Sequence, residues 1–231
     1  MSKILFVMTG VDHWTLADGT QHPTGFWAEE AVAPYEAFKA AGHDIVVATP
    51  GGVVPTVDKA SLAADVNGGQ EGADKVAATL DSISEIKNPV RLQDVNPDDY
   101  DAVFYPGGHG PMEDLAVDPV SGALLIATLE SGKPLAIVCH APAAILAATR
   151  PDGTNAFAGY RVAAFTNVEE TQAGLAGKAK WLLETRLLEA GLDVRTSEPW
   201  APHVIVDRNL VTGQNPSSSA PLAVELLKKL A

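Results

Sequence analysis

The chain has 231 residues, 46% hydrophobic and 19% charged, which supplies a buried core and argues against disorder. Sixteen Lys and Arg face 29 Asp and Glu, a formal charge of −13. Such a surface repels phosphate backbones and anionic lipid, so neither nucleic acid nor a membrane is expected as a partner. No apolar run approaches the ~20 residues that span a bilayer. The opening Met1-Ser2-Lys3-Ile4-Leu5-Phe6-Val7-Met8 reads as a first strand rather than a signal peptide. A single cysteine, Cys139, forms no internal disulfide and suits a reducing cytoplasm.

Short apolar runs then alternate with helix-length segments. Residues 4–8 read as a strand, 26–41 as a helix closed by Gly42, and 44–48 as a second strand ended by Pro50-Gly51-Gly52. The stretch 53–97, rich in Gly, Asp and Ala, is the least regular and reads as decoration at the edge of the domain. Strands follow at 102–105, 135–138 and 161–165, with a helical run over 142–148 and an amphipathic helix over 179–190. Residues 203–206 and 210–211 read as a hairpin around Asp207-Arg208-Asn209, and 220–230 as a last helix capped by Ser217-Ser218-Ser219. Strands apolar throughout are buried on both faces, which calls for a mostly parallel sheet covered by helices. With no linker or repeat, residues 1–231 are expected to form one α/β domain.

The sharpest feature is Val138-Cys139-His140-Ala141-Pro142-Ala143, an apolar strand ending on a cysteine just before a run of small residues. A tight strand-to-helix turn presents a nucleophile at the carboxyl edge of the sheet, where helix amides favour thiolate and can hold an oxyanion. The expectation is a thiol more acidic than free cysteine. The competing reading is a buried structural cysteine. Pro106-Gly107-Gly108-His109-Gly110 follows the preceding strand, and in a parallel sheet the two loops share one crevice. Gly108 would then complete an oxyanion hole opposite Cys139, with His109 beside it. Neither a P-loop nor a G-x-G-x-x-G motif is present, so no nucleotide cofactor is implied.

Two acid pairs, Glu29-Glu30 after Phe26-Trp27-Ala28 and Glu169-Glu170 after Phe165-Thr166-Asn167-Val168, stand near helix starts. First-turn acids often serve the helix dipole alone, whereas an inward carboxyl would have a raised pKa. His13, His22, His43 and His203 have no ligand spacing, so no metal is expected.

Taken together, the elbow, Thr24-Gly25-Phe26-Trp27-Ala28-Glu29-Glu30, Gly107-Gly108-His109-Gly110, Phe165-Thr166-Asn167-Val168-Glu169-Glu170 and Leu210-Val211-Thr212-Gly213-Gln214-Asn215-Pro216-Ser217-Ser218 resemble the ThiJ/PfpI superfamily (class I glutamine-amidotransferase-like). Within it, the chain is similar to the branch of heat-inducible chaperones and glutathione-independent glyoxalases. The resemblance implies a flavodoxin-like three-layer sandwich with a nucleophile elbow. It makes Cys139 the nucleophile, His140 its base, Glu170 the triad acid with Glu169 solvated, and Glu30 the buried glutamate beside the sulfur. The elbow departs from the commoner Cys-His-Gly-Pro in reading Cys-His-Ala-Pro, and His203 after Pro199-Trp200 bears on the pocket rim.

The implied activity is that of glyoxalase III (D-lactate dehydratase), a lyase that turns methylglyoxal or glyoxal into the hydroxy acid through a cysteine hemithioacetal, with no cofactor. The expected partners are a small 2-oxoaldehyde and a second copy of the chain as a homodimer. Alternatives are an amidase, peptidase-like or protein-deglycating hydrolase on the same residues. A holdase chaperone or oxidative-stress sensor, with Cys139 forming sulfinic acid, is a further one.

Overall fold

The computed structural model describes residues 1–231. Strand β1 (Lys3–Val7) is apolar and buried, and a small hairpin of β2 (His13–Thr15) and β3 (Gln21–Pro23) follows it. Helix α1 (Ala28–Ala40) turns its Ala28, Ala31, Val32 and Phe38 face inward and ends at Gly42, whose φ of +79° suits glycine. Next come β4 (Asp44–Thr49), α2 (Gln70–Ser82), α3 (Ser84–Lys87) and β5 (Val90–Arg91). The middle of the chain carries β6 (Ala102–Tyr105), α4 (Gly110–Glu113), α5 (Pro119–Ser131) and β7 (Leu135–Val138). A 3-10 segment over Ala141–Ala147 leads to β8 (Arg161–Val162), α6 (Asn167–Gln172), α7 (Leu183–Glu189) and β9 (Asp193–Val194). The chain closes with β10 (Val204–Asp207), β11 (Leu210–Gly213) and α8 (Ser219–Leu230).

Seven strands form the central sheet in the order β10-β11-β7-β6-β1-β4-β5, parallel except for the β10–β11 hairpin. The order reverses at β1, which pairs β4 on one side and β6 on the other. Right-handed crossovers in opposite directions put α1 and α5 on opposite faces, with α8 packed beside α1. This is the expected flavodoxin-like α/β sandwich. The carboxyl ends of β1, β6 and β7 meet at the reversal, where such sheets bind ligands.

Three expectations are corrected. Residues 162–165 are buried, but the run 161–165 joins no central strand. Ala163 N–H donates to the Thr212 hydroxyl at 2.8 Å, β10 occupies the edge of β11, and Arg161–Val162 pairs with β9 in a separate two-stranded sheet. An apolar run signals burial, and here the pairing partner was already taken. The stretch 53–97 is more regular than its composition suggests. Helix α2 buries only Ala73 and so lacks a strong apolar stripe, while β5 adds a parallel edge strand to β4. Ser218 does not cap α8. Its hydroxyl donates to Asn215 Oδ1 at 3.0 Å and accepts from His203 N–H at 3.0 Å.

Candidate active site

Cys139 is the first residue past β7, and its φ of +60° is unusual for a side-chain-bearing residue. Its own N–H is spent on Gly213, at 2.9 Å, which extends the β7–β11 ladder, and its carbonyl accepts from Phe165 N–H at 2.9 Å. The elbow is thus tied on both sides, to β11 and to the segment that carries the second acid pair. The sulfur, nearly inaccessible, meets three groups. His140 Nδ1 lies 3.3 Å away, Gly108 N–H donates to it, and the Glu30 carboxyl faces it.

The glycine loop after β6 makes that approach possible. A Cβ at Gly107 would lie 2.7 Å from both Glu30 Oε2 and the Val138 carbonyl. Gly108 has φ +93°, and a Cβ there would lie 2.7 Å from Trp27 N. Gly107 N–H donates to Glu30 Oε2 at 2.7 Å, while Glu30 Oε1 has no oxygen or nitrogen partner and turns to the sulfur. Glu30 is wholly buried on α1, and Pro34, four residues on, lacks the N–H that would bond its carbonyl. Burial pushes its carboxyl up to about 8, only partly countered by hydrogen bonds to Cys139 and Gly107. At neutral pH the neutral acid therefore prevails, and it can donate to sulfur. Glu29, next on the helix, is half-buried.

The expected acidic thiol is corrected. Burial pushes the Cys139 thiol up, and the nearby Glu30 pushes it further; the Gly108 N–H counters only in part. A 3-10 segment over Ala141–Ala147 stands where a helical run over 142–148 was expected, and its poorer hydrogen-bond geometry brings little dipole to the sulfur.

Glu170 opens α6 and joins two imidazoles. His140 Nε2 lies 2.6 Å from Oε2, and His109 Nε2 lies 2.9 Å from Oε1. Burial alone would raise this carboxyl. The adjacent His140 and the hydrogen bonds from both rings outweigh burial and hold it well below the usual carboxylate range. An ionised carboxylate only accepts, so both histidines donate from Nε2, which leaves His140 Nδ1 free to take a proton from the thiol. His109 stacks on Trp14 (4.9 Å, 17°), and Phe165 lies against His140 (4.2 Å). Burial chiefly, and His140 as well, lower His109. His109, His140 and Glu170 bring their ligand atoms within 4.8 Å of one another, a set that could hold a metal ion. Sequence spacing gave no sign of it, because its members lie 30 and 61 residues apart.

Glu169 is the second correction at the site. Expected in solvent, it is fully buried. It accepts five hydrogen bonds: from Thr166 N–H and hydroxyl, Trp200 N–H, Gln214 Nε2 and Asn215 Nδ2. The Thr166 bonds form a capping box that starts α6 and so aims Glu170. The Trp200 bond, at 2.8 Å, anchors a residue with φ +65° whose ring packs on Phe165. A Thr-x-x-Glu box was visible in the sequence and could have revealed this inward role. His203 begins the hairpin, and the cavity beside His109 is lined without it.

The chain as a whole has counterparts among known proteins. The chain is 26% identical to Glyoxalase 3 of Candida albicans over 98% of both chains. It is 29% identical to the Protein/nucleic acid deglycase HchA of Staphylococcus aureus over 95% of this chain and 77% of that one. Among solved structures, glyoxalase III (Orf 19.251) from Candida albicans matches with a TM-score of 0.85 and 26% identity, covering 99% of this chain and 97% of the other. Rapid Encystment Protein 24 kDa of Francisella tularensis matches with 0.86 and 28% over the whole of both chains. These relatives include enzymes, and no helix here is long and apolar enough to cross a membrane. With the DJ-1/PfpI family model matching residues 23–229, the chain belongs to that family.

Proposed function

We propose that this protein is a glutathione- and cofactor-independent glyoxalase that converts methylglyoxal and similar 2-oxoaldehydes to hydroxy acids on a Cys139–His140–Glu170 site assisted by Glu30. The observation that carries this reading is the neutral, buried Glu30 carboxyl facing the only cysteine. A hydrolase needs no second acid at the sulfur, whereas moving a proton between adjacent carbons does. Likeness to the Candida glyoxalase over nearly the full length supports the same choice.

The steps follow from the geometry. His140 Nδ1 takes the thiol proton, and the sulfur adds to the aldehyde carbon. The Gly108 and His140 amides and His109 face the developing oxyanion, which takes the proton back from His140 to give a hemithioacetal. Glu30 gives its own proton to the neighbouring carbonyl oxygen and, as the carboxylate, takes the hydrogen from that carbon to leave an enediol. It then delivers that hydrogen to the neighbouring carbon and recovers a proton from the hydroxyl on the first. The product is a thioester, and the internal redox change balances. Water then releases the hydroxy acid and restores the thiol. Glu170 keeps His140 oriented and stabilises its protonated form. The reading includes a homodimer in a reducing cytoplasm, with neither nucleic acid nor membrane as partner.

The likeness to HchA favours one alternative, a protein deglycase on the same residues. The deciding experiment is D-lactate formation from methylglyoxal by the wild type and by Cys139→Ser, beside release of methylglyoxal from a glycated peptide. Lactate formation lost with the thiol supports the glyoxalase; peptide release without lactate formation supports the deglycase.

A further inference from the structure

A cavity of about 940 Å³ adjoins the site, with Trp27 and His109 in its wall. Trp27 lies one helical turn before Glu30, and His109 bonds Glu170 at 2.9 Å, so the cavity meets the site at His109. Its size is near the top of the ~300–1,000 Å³ that encloses drug-sized ligands, far more than a three-carbon aldehyde needs.

Its charges are uneven in what they already hold. Asp12, His22, Asp58, Lys59, His109 and Lys178 line it. Asp12 bonds His13 Nδ1 at 2.8 Å, and Asp58 accepts from the Thr24 hydroxyl at 2.7 Å and from Ala60 N–H at 2.9 Å. The acids are engaged. Lysine ion pairs in this molecule are made by Lys39, Lys87, Lys133 and Lys228, so Lys59 and Lys178 have no carboxylate within 4 Å, although Lys178 is near enough to Asp18 to help lower its carboxyl. The Trp27 indole N–H is buried with no acceptor. Two cations without a carboxylate within 4 Å, and the tryptophan that carries this unpaired N–H, thus line one cavity of a chain whose formal charge is −13.

We propose that this cavity is an anion subsite of the reactive centre. Its substrate is an extended 2-oxoaldehyde whose far end bears a carboxylate, held by Lys59, Lys178 and the Trp27 N–H while the aldehyde meets Cys139. This rests on the glyoxalase reading and narrows its substrate class. The chemistry at sulfur is unchanged; 4-carboxyphenylglyoxal would give 4-carboxymandelate.

The test compares 4-carboxyphenylglyoxal with phenylglyoxal, which lacks only the carboxylate. The wild type should favour the carboxylated aldehyde about fivefold in kcat/KM, as two exposed ion pairs allow, and less so as salt rises. Lys59→Gln with Lys178→Gln should bring the ratio to about one. A wild-type ratio of one or below, or a ratio that survives in the double variant, overturns the subsite. If neither aldehyde is converted, the glyoxalase reading falls, and calorimetry of 4-carboxymandelate against mandelate still judges the subsite. Tighter binding of the dicarboxylate, lost in the double variant, supports it; equal affinity overturns it.

Discussion

Glu29-Glu30 and Glu169-Glu170 place the same two residues in the first turn of α1 and of α6, yet the four carboxyls behave in three ways. Glu29 is half-buried and meets water. Glu30 is fully buried, receives a single N–H, and is pushed up to about 8. Glu169 and Glu170 are also buried, but donors surround them: five hydrogen bonds on the first, two imidazoles on the second. Burial by itself does not set a carboxyl's charge; the number of donors aimed at it does. One pair thus yields an acid that holds its proton, and the other yields a carboxylate that orients a base.

The strongest way to break this contrast is Glu30→Gln. It keeps a donor toward sulfur but cannot accept the migrating proton, so turnover of methylglyoxal should fall by about 10²–10⁴ while Cys139 still alkylates. If alkylation stops and turnover persists, Glu30 serves the thiol alone. Glu169→Ala comes next. It strands several buried donors and frees Trp200 from its left-handed backbone, which should cost about 3 kcal/mol or more in urea denaturation. A loss of activity with no loss of stability would mean that Glu169 does more than position α6.

The two pairs should also differ in the sign of their pH dependence. Glu30 titrates above its ordinary value of 4.5, so its contribution to stability is full below that pH and is lost as pH rises toward about 8. Glu170 is depressed, so its contribution is present above 4.5 and is lost as pH falls below it. Urea midpoints of Glu30→Gln against wild type should move in the variant's favour between about pH 5 and 8; those of Glu170→Gln should move in its favour only in acid. Alkylation of Cys139 should quicken only above the range of a free thiol, because burial and the neighbouring Glu30 push the thiol up. A midpoint well below that of a free thiol would contradict the burial argument.

Smaller effects sharpen the picture. Chelation by EDTA should leave lactate formation unchanged; loss on chelation and recovery with zinc would assign His109, His140 and Glu170 to a metal. Glu29→Gln should lie within ~0.5 kcal/mol of wild type, with full activity.

Much of this molecule was determined by short-range sequence. Apolar runs at β1, β4, β6 and β7 specify a covered parallel sheet, because strands buried on both faces have no polar alternation. Cys139-His140 after such a run, with Gly107-Gly108 after its neighbour, locates the reactive edge, because parallel strands deliver consecutive loops to one side. Tertiary structure decided the rest. It brought Trp200, Gln214 and Asn215 onto Glu169, joined His109 to Glu170 across 61 residues and left residues 161–165 outside the sheet. It also reversed the expected acidity of the thiol. These outcomes depend on desolvation and on which donors converge from distant segments, and neither is encoded in the local pattern of a chain.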